Sequence, residues 1–275
     1  MSDAVPELPE VETIVRLLRG ENGGTPSLLG RSIRKVSLFW QRTLQTPSSP
    51  DALEALAGQR VEQIYRRGKF VVFHLTGASL LFHLRMSGDL RVEDASTGLQ
   101  QHDRLAIWFE SSLRLVFNDP RKFGRVWVVQ DPQVVLEKLG PEPLGEMSPH
   151  QFYQRLHQRR RQLKPLLMDQ SFLAGLGNIY TDEALFRARL HPLRLSDTLT
   201  EVEAALLLKA IRAVLEEGIR RNGASIDWVY RGGEFQNTFC VYQRTGQPCR
   251  VCGEPIQRIV VGQRGTHFCV SCQKA

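Results

Sequence analysis

Four cysteines near the C-terminus, Cys249-x2-Cys252-x16-Cys269-x2-Cys272, restrict the end of this 275-residue chain more tightly than any other feature. Two CxxC knuckles at that separation can deliver four thiolates to one tetrahedral Zn²⁺. Gly253 follows the first knuckle, where a tight turn is needed, and the Val-, Ile- and Phe-containing stretches Pro255–Val261 and Thr266–Phe268 suit a β-hairpin. A zinc ribbon over 240–274 is expected, with Gln263-Arg264-Gly265-Thr266 as its basic turn. Four thiolates leave no open position for water, so the metal is structural. Cys240 has no partner at metal spacing and reads as a small strand residue. This cysteine usage argues against a secreted disulfide framework. Zinc ribbons occur in many nucleic-acid proteins, so the ribbon alone does not name a reaction.

Charge narrows the partner. The chain has 36 Lys+Arg against 29 Asp+Glu, a formal charge of +7, which favours a polyanion. No segment approaches the roughly 18 apolar residues of a transmembrane helix. A monomeric, cytoplasmic protein that works on nucleic acid is expected.

The N-terminal half reads as strands. Eight short runs separated by turns, Ile33–Trp40, Val61–Arg66, Phe70–Thr76, Ser79–Leu84, Gly88–Val92, Arg104–Phe109, Leu113–Phe117 and Arg125–Val129, point to a sandwich or barrel. A short helix, Pro50–Ala57, interrupts them. Three polar stretches stand out: Arg66-Arg67-Gly68-Lys69-Phe70, His83-Leu84-Arg85-Met86-Ser87-Gly88, and Asn118-Asp119-Pro120-Arg121-Lys122-Phe123-Gly124. The first is a basic turn, which could be no more than solvated hairpin charge. In the third, Asp-Pro initiates a turn, and a turn tip that exposes Arg121 beside Phe123 suits a wedge into stacked bases. His102-Asp103 lies in a polar loop before a strand.

Breakers at Gly140-Pro141-Glu142-Pro143-Leu144-Gly145 mark a boundary, after which the period becomes helical. Ser148-Pro149-His150-Gln151 is a capping box, followed by Phe152, Leu156 and Leu163 on one face and a basic remainder of Arg155, Arg159, Arg160, Arg161 and Lys164. Gly175-Leu176-Gly177-Asn178 opens another helix, where Asn178 either caps it or stands beside N–H groups available to an anion. Thr200-Glu201-Val202-Glu203 starts a long helix with Leu207, Ile211, Val214 and Leu215 as its core face.

At the other end, Pro6-Glu7-Leu8-Pro9-Glu10-Val11-Glu12 enters an amphipathic helix. Pro9 suits the first turn, Glu10 and Glu12 complement the helix dipole, Val11, Ile14, Val15 and Leu18 define the buried face, and Gly20 ends it. A proline amine beside a carboxylate is also chemically capable. It can attack an aldehyde-like carbon, and the resulting iminium stays cationic as an electron sink.

Taken together these strings resemble the formamidopyrimidine-DNA glycosylase family, over nearly the whole chain from Pro6 to Lys274. The resemblance implies an α+β multidomain protein: an N-terminal β-sandwich with flanking helices (6–140), a helical domain with helix-turn-helix pairs (141–235), and the zinc ribbon. It implies removal of oxidised purines from duplex DNA and cleavage of the resulting abasic site. Pro6, Glu7, Lys69 and Arg264 are implied as catalytic, with Arg264 promoting the second elimination. Met86, Arg121 and Phe123 would fill the gap left by an extruded base, while His83, His102, Arg159, Lys164 and Asn178 would hold DNA. The endonuclease VIII branch, acting on oxidised pyrimidines, is the nearest alternative, but it typically has Gly where this chain has Leu8. A catalytically silent lesion-binding protein is the other. The 224–238 loop is short for an oxoguanine-capping loop, which weighs against a preference for 8-oxoguanine and leaves ring-opened purines as substrates. Because residues 1–5 precede Pro6, its nitrogen is an amide as written; initiation at Val5, read as a start codon, followed by removal of that residue would free it.

Overall fold

A computed structural model describes residues 5–21, 24–225 and 232–274. Among them, packing separates two compact units: Glu10–Glu137 form one, and the residues up to Pro9 join those from Lys138 onward in the other.

In the unit built from Glu10–Glu137, helix α1 (Leu8–Leu18) supplies the face its sequence spacing requires, with Val11, Ile14, Val15 and Leu18 at most 4% exposed. Gly20 ends it at φ +78°. Glu12 does not serve the first turn, because it bonds Arg16 one turn on and Arg66 from the adjacent sheet. All eight expected strands form: β1 (Ile33–Leu38), β2 (Val61–Arg67), β3 (Phe70–Leu75), β4 (Ser79–His83), β5 (Asp89–Asp94), β6 (Asp103–Phe109), β7 (Leu113–Asn118) and β8 (Arg125–Val129). The short helix α2 (Pro50–Glu54) is capped by Ser49 and ends three residues earlier than expected.

The strands pair antiparallel in two four-stranded sheets, ordered β1-β6-β7-β5 and β2-β3-β4-β8. Two separate sheets make a sandwich and dispose of the barrel. Alternation sends Phe73 and Phe82 from one sheet, and Phe109 and Phe117 from the other, into a shared core. The Phe82 and Phe117 rings meet across it at 5.6 Å. Helix α3 (Gln133–Leu136) closes this unit.

The other unit is helical. Helix α4 (Pro149–His157) and helix α7 (Glu201–Arg220) both realise their capping boxes. Helices α5 (Leu163–Leu167) and α6 (Asn178–Arg187) are separated by a stretch of turns over 168–175. Leu163 does not continue the face of Phe152 and Leu156. The backbone leaves the helix at Gln158 and forms a bridge between Gln162 and Leu195, so Leu163 enters the same core from α5. Arg159, Arg160 and Arg161 are therefore loop residues, not a helical basic face. Strands β9 (Gln257–Val261) and β10 (Arg264–Phe268) form the ribbon hairpin. Among the described residues, no helix is long and apolar enough to cross a membrane.

Candidate active site and metal centre

Glu7 stands one residue before α1, and its side chain spans to the start of α6. Gly177 N–H donates to Oε2 at 2.6 Å, Ile179 N–H to Oε1 at 2.9 Å, and Tyr180 N–H to Oε2 at 3.4 Å. The N-terminal N–H groups of α6 thus meet an internal carboxylate, where both hydrogen bonding and the helix dipole favour negative charge. They are not an open phosphate site, which corrects the anion-site reading of the Gly-x-Gly-Asn turn. Asn178 does not cap either. The N-cap is Gly177 with no side-chain bond, and a Cβ there would run into the Glu7 carboxyl. The Asn178 amide nitrogen lies 3.5 Å from the Tyr242 hydroxyl, and its Oδ1 is buried with no hydrogen-bond partner. Pro6 itself is buried, and Leu8 N–H fixes the segment by donating to Gly175 C=O at 3.0 Å.

Lys164 departs furthest from expectation. Rather than standing on an open basic helix face to hold DNA, it is fully buried on α5. Its Nζ donates to Asp182 Oδ1 at 2.6 Å and to Gly265 C=O at 3.0 Å. Asp182 Oδ2 in turn accepts from His267 N–H at 2.9 Å and faces His267 Nδ1 at 3.2 Å. Burial pulls the Lys164 ammonium below the usual lysine range; Asp182 and Glu7 oppose that shift and Arg264 adds to it. Glu7, Lys164, Asp182 and Arg264 therefore share one electrostatic neighbourhood within this unit.

Sequence reasoning missed Asp182 and its neighbour Glu183. Glu183 accepts backbone N–H groups from Cys240, Val241 and Tyr242, and burial raises its carboxyl above the usual range against the pull of those bonds. The available signal was two adjacent acids inside α6, where every residue from Ile179 to Phe186 is buried. Cys240 proves to be a half-buried bend residue rather than a strand residue, because Glu183 holds the chain there.

In the ribbon, the Sγ atoms of Cys249, Cys252, Cys269 and Cys272 lie within 4.8 Å of one another. The Cys249–Cys272 and Cys252–Cys269 pairs are 3.9 and 3.4 Å apart. A tetrahedron of sulfurs at about 2.3 Å from zinc has edges of about 3.8 Å, so the donor set fits one Zn²⁺. Burial, and then the three neighbouring thiols, push the Cys272 thiol up to about 12, whereas Cys249, against the effect of burial, is drawn down to about 7 by backbone N–H groups and its neighbouring thiols; a cation is what lets all four ionise together. The hairpin turn falls at Gly262-Gln263, not at Gln263–Thr266. Both turn residues have positive φ, +55° and +64°, as a two-residue type I′ turn requires. Arg264 is consequently the first residue of β10, paired with Val261.

Apart from Arg159, the remaining sequence-predicted residues lie in the unit of Glu10–Glu137. Lys69 is the second residue of the β2–β3 turn, in which Gly68 takes φ +56°. The basic string around it divides, since Arg66 bonds Glu12 at 3.1 Å and so secures α1. His83 ends β4. Burial, and then Arg85 and Lys69, lower its pKa to about 3, so it is a neutral donor or acceptor rather than a cation. Its Nδ1 accepts Arg85 N–H at 3.1 Å, which leaves the ring proton on Nε2.

Asp119 joins three of the sequence motifs. The Ser87 hydroxyl and Gly124 N–H donate to its two carboxylate oxygens, the latter at 2.6 Å, and Asp119 N–H donates to His102 C=O at 2.9 Å. Arg121 N–H closes the ring on Ser87 Oγ at 3.1 Å. From this brace Arg121 and Phe123 project outward. Phe123 is 45% exposed, and the Arg121 guanidinium lies 5.4 Å from its ring centre. Met86 is half-buried on the neighbouring turn. A Cβ at Gly124 would come within 3.0 Å of the Phe117 ring. Gly124→Ala should therefore overpack the brace by about 1–3 kcal/mol, and thermal unfolding should show a midpoint several degrees below wild type.

Arg159 is exposed in the loop after α4. Of the loop expected to cap an extruded base, residues 226–231 lie outside the described residues.

Comparison with known proteins agrees with this geometry along the chain. Residues 5–126 match the profile of the formamidopyrimidine-DNA glycosylase N-terminal domain, 139–229 that of its H2TH domain, and 246–275 a zinc finger found in FPG and IleRS. A formamidopyrimidine-DNA glycosylase of Herpetosiphon aurantiacus is 42% identical over 279 residues, covering 98% of this chain and 100% of the relative. One from Chloroflexus aurantiacus is 43% identical over 278 residues, covering 98% of each. Among solved structures, MutM in complex with DNA containing carbocyclic 8-oxo-G superposes with a TM-score of 0.88 at 36% identity, over 98% of this chain and 100% of that one. Lactococcus lactis FPG with FAPY-dG-containing DNA gives 0.89 at 35%, with the same coverage. With matching profiles over most of its length and relatives above 40% identity, the chain belongs to the formamidopyrimidine-DNA glycosylase family.

Proposed function

We propose that this chain is a bifunctional DNA glycosylase and abasic-site lyase that removes oxidised purines, 8-oxoguanine and ring-opened formamidopyrimidines, from duplex DNA in the cytoplasm. The observation that carries this reading is the Glu7 carboxylate, held by three backbone N–H groups at the start of α6 directly after Pro6. Family membership supplies the chemistry to which that carboxylate is suited.

The damaged base must leave the stack before it can react, at a cost of a few kcal/mol. Phe123 and Arg121 suit this step, because an apolar ring and a guanidinium on one braced, outward-facing turn can replace the lost stacking and pair with the orphaned base. Met86 would fill the remaining space. Lys69, His83, His102, Arg159 and Asn178 would hold the phosphates or the lesion, His83 doing so as a neutral Nε2–H donor; Lys164, fully buried and bonded to Asp182 and Gly265, has no surface to offer DNA.

The Pro6 nitrogen then attacks C1′, and the base departs with the glycosidic electron pair and takes up a proton. Sugar-ring opening gives an iminium, with Glu7 the nearest acid and base in sequence. Loss of a proton from C2′ expels the 3′ phosphate. A second proton loss, from C4′, expels the 5′ phosphate, and here Lys69 and Arg264 can stabilise the departing anions. Hydrolysis of the iminium restores the amine.

This route requires a secondary amine at Pro6, hence a chain without residues 1–5. Incubating duplex containing an oxidised purine with protein and borohydride, and mapping the adduct by mass spectrometry, tests it. A protein beginning at Pro6 should be trapped through that residue, and the form beginning at Met1 should not. Cleavage by a chain whose intact mass still includes Met1 or Ser2 would overturn the assignment of the nucleophile. Efficient excision of oxidised pyrimidines with oxidised purines untouched would overturn the substrate class.

A further inference from the structure

Among the described residues, Asp182 is unusual in being fully buried while serving two elements distant in sequence. Through Lys164 it meets α5, and through His267 it meets β10. Lys164 also bonds Gly265 C=O, so the three side chains grip β10 at two places. Those places, Gly265 and His267, lie one and three residues beyond Arg264. A strand bonded at one position to α5 and at the other to α6 has little freedom to rotate about its axis or to slide.

We propose that Asp182, clamped between Lys164 and His267, is a positioning residue for Arg264, and that it governs the second, C5′-side elimination without touching DNA. The proposal rests on the lyase reading above. Base release and the first elimination belong to the Pro6–Glu7 end, which has its own anchor on α6 through Gly177, Ile179 and Tyr180. The two eliminations should thus separate when the clamp is loosened.

The test is single-turnover cleavage of oxidised-purine duplex by the full protein carrying Asp182→Asn, with zinc content measured alongside. The upstream fragment ends in a 3′ phosphate after both eliminations and in a 3′ unsaturated aldehyde after the first alone. Asp182→Asn should lower the phosphate-to-aldehyde ratio by up to about 100-fold, as a misplacement of about 1 Å does for a catalytic group, and should approach the ratio of Arg264→Ala. Base release should stay within about 3-fold of wild type. His267→Ala, which removes one bond and leaves the backbone N–H, should shift the ratio the same way by about 3-fold, and it decides the matter if Asp182→Asn is insoluble. An unchanged ratio, or equal loss of base release and both eliminations, overturns the proposal by reducing the clamp to a fold element. Wild-type protein that cleaves nothing would instead remove the lyase reading, and the proposal with it.

Discussion

Glu7→Gln should abolish base excision while leaving the protein folded and able to bind lesion DNA. The substitution preserves volume but replaces one acceptor oxygen by an NH₂ group at a point where three backbone N–H groups converge. At least one buried donor then faces another donor, a loss of about 1–3 kcal/mol for each group left unsatisfied. The charge that complements the α6 dipole is also lost, worth up to about 2 kcal/mol in a partly buried setting. A fall in thermal midpoint of several degrees is expected in a domain of this size. The effect on rate should be far larger, because a positioned acid–base group contributes about 10²–10⁴-fold. Single-turnover excision should therefore drop by at least about two orders of magnitude, while equilibrium binding to duplex carrying an uncleavable abasic analogue stays within about 10-fold. If binding and excision fell together, Glu7 would be only the helix cap that its hydrogen bonds describe.

That dual position of Glu7 shows where sequence reasoning reaches its limit. The α1 face and the eight strands could be read directly, because periodicity is local and each buried position announces itself within a few residues. The four cysteines could be read for the same reason. Glu7 could be chosen as a reactive residue, but its partners lie some 170 residues away, and no local pattern reports that separation. The opposite error arose at Lys164. A lysine at the end of an arginine-rich string looks solvent-exposed until Asp182, on a different helix, supplies a buried counter-charge. Glu183 escaped notice because its partners are backbone N–H groups, which are present at every residue and so leave no trace in sequence.

The ribbon turn is hidden from sequence for a different reason. Two glycines, Gly262 and Gly265, compete for the same short hairpin. Composition favours the basic Arg-Gly string, whereas the backbone turns at Gly262-Gln263, where both residues accept left-handed φ. Placing Arg264 at the root of a strand rather than at a mobile tip changes what it can do. A strand residue is held by its ladder, and an arginine asked to stabilise a leaving phosphate benefits from being held.

Metal removal should accordingly have an effect as large as loss of Glu7, but at a different step. The ribbon core is very small, with Phe186, Val241, Cys249, Ile256 and Cys269 as its buried members, two of them metal ligands. So little apolar burial cannot order a segment of this length, and four thiolates on zinc contribute about 10–16 kcal/mol in comparable small folds. Chelation, or Cys249→Ser, should release β9 and β10, and hydrogen exchange of the amides in 257–268 should rise to the level of an unfolded peptide. The sandwich and the core around Tyr180 and α7 draw nothing from the metal, so far-ultraviolet circular dichroism should change little. Without an ordered β10, Arg264 is lost to the reaction and the hairpin's contribution to DNA binding is lost with it. Complete processing through both eliminations, read as the 3′-phosphate product, should fall by about 10²–10³-fold, the range seen when one preorganised electrostatic donor is removed, and re-addition of Zn²⁺ should restore it. Protein stripped of zinc that kept full cleavage and protected hairpin amides would show that the clamp on Asp182, and not the metal, is what orders the ribbon.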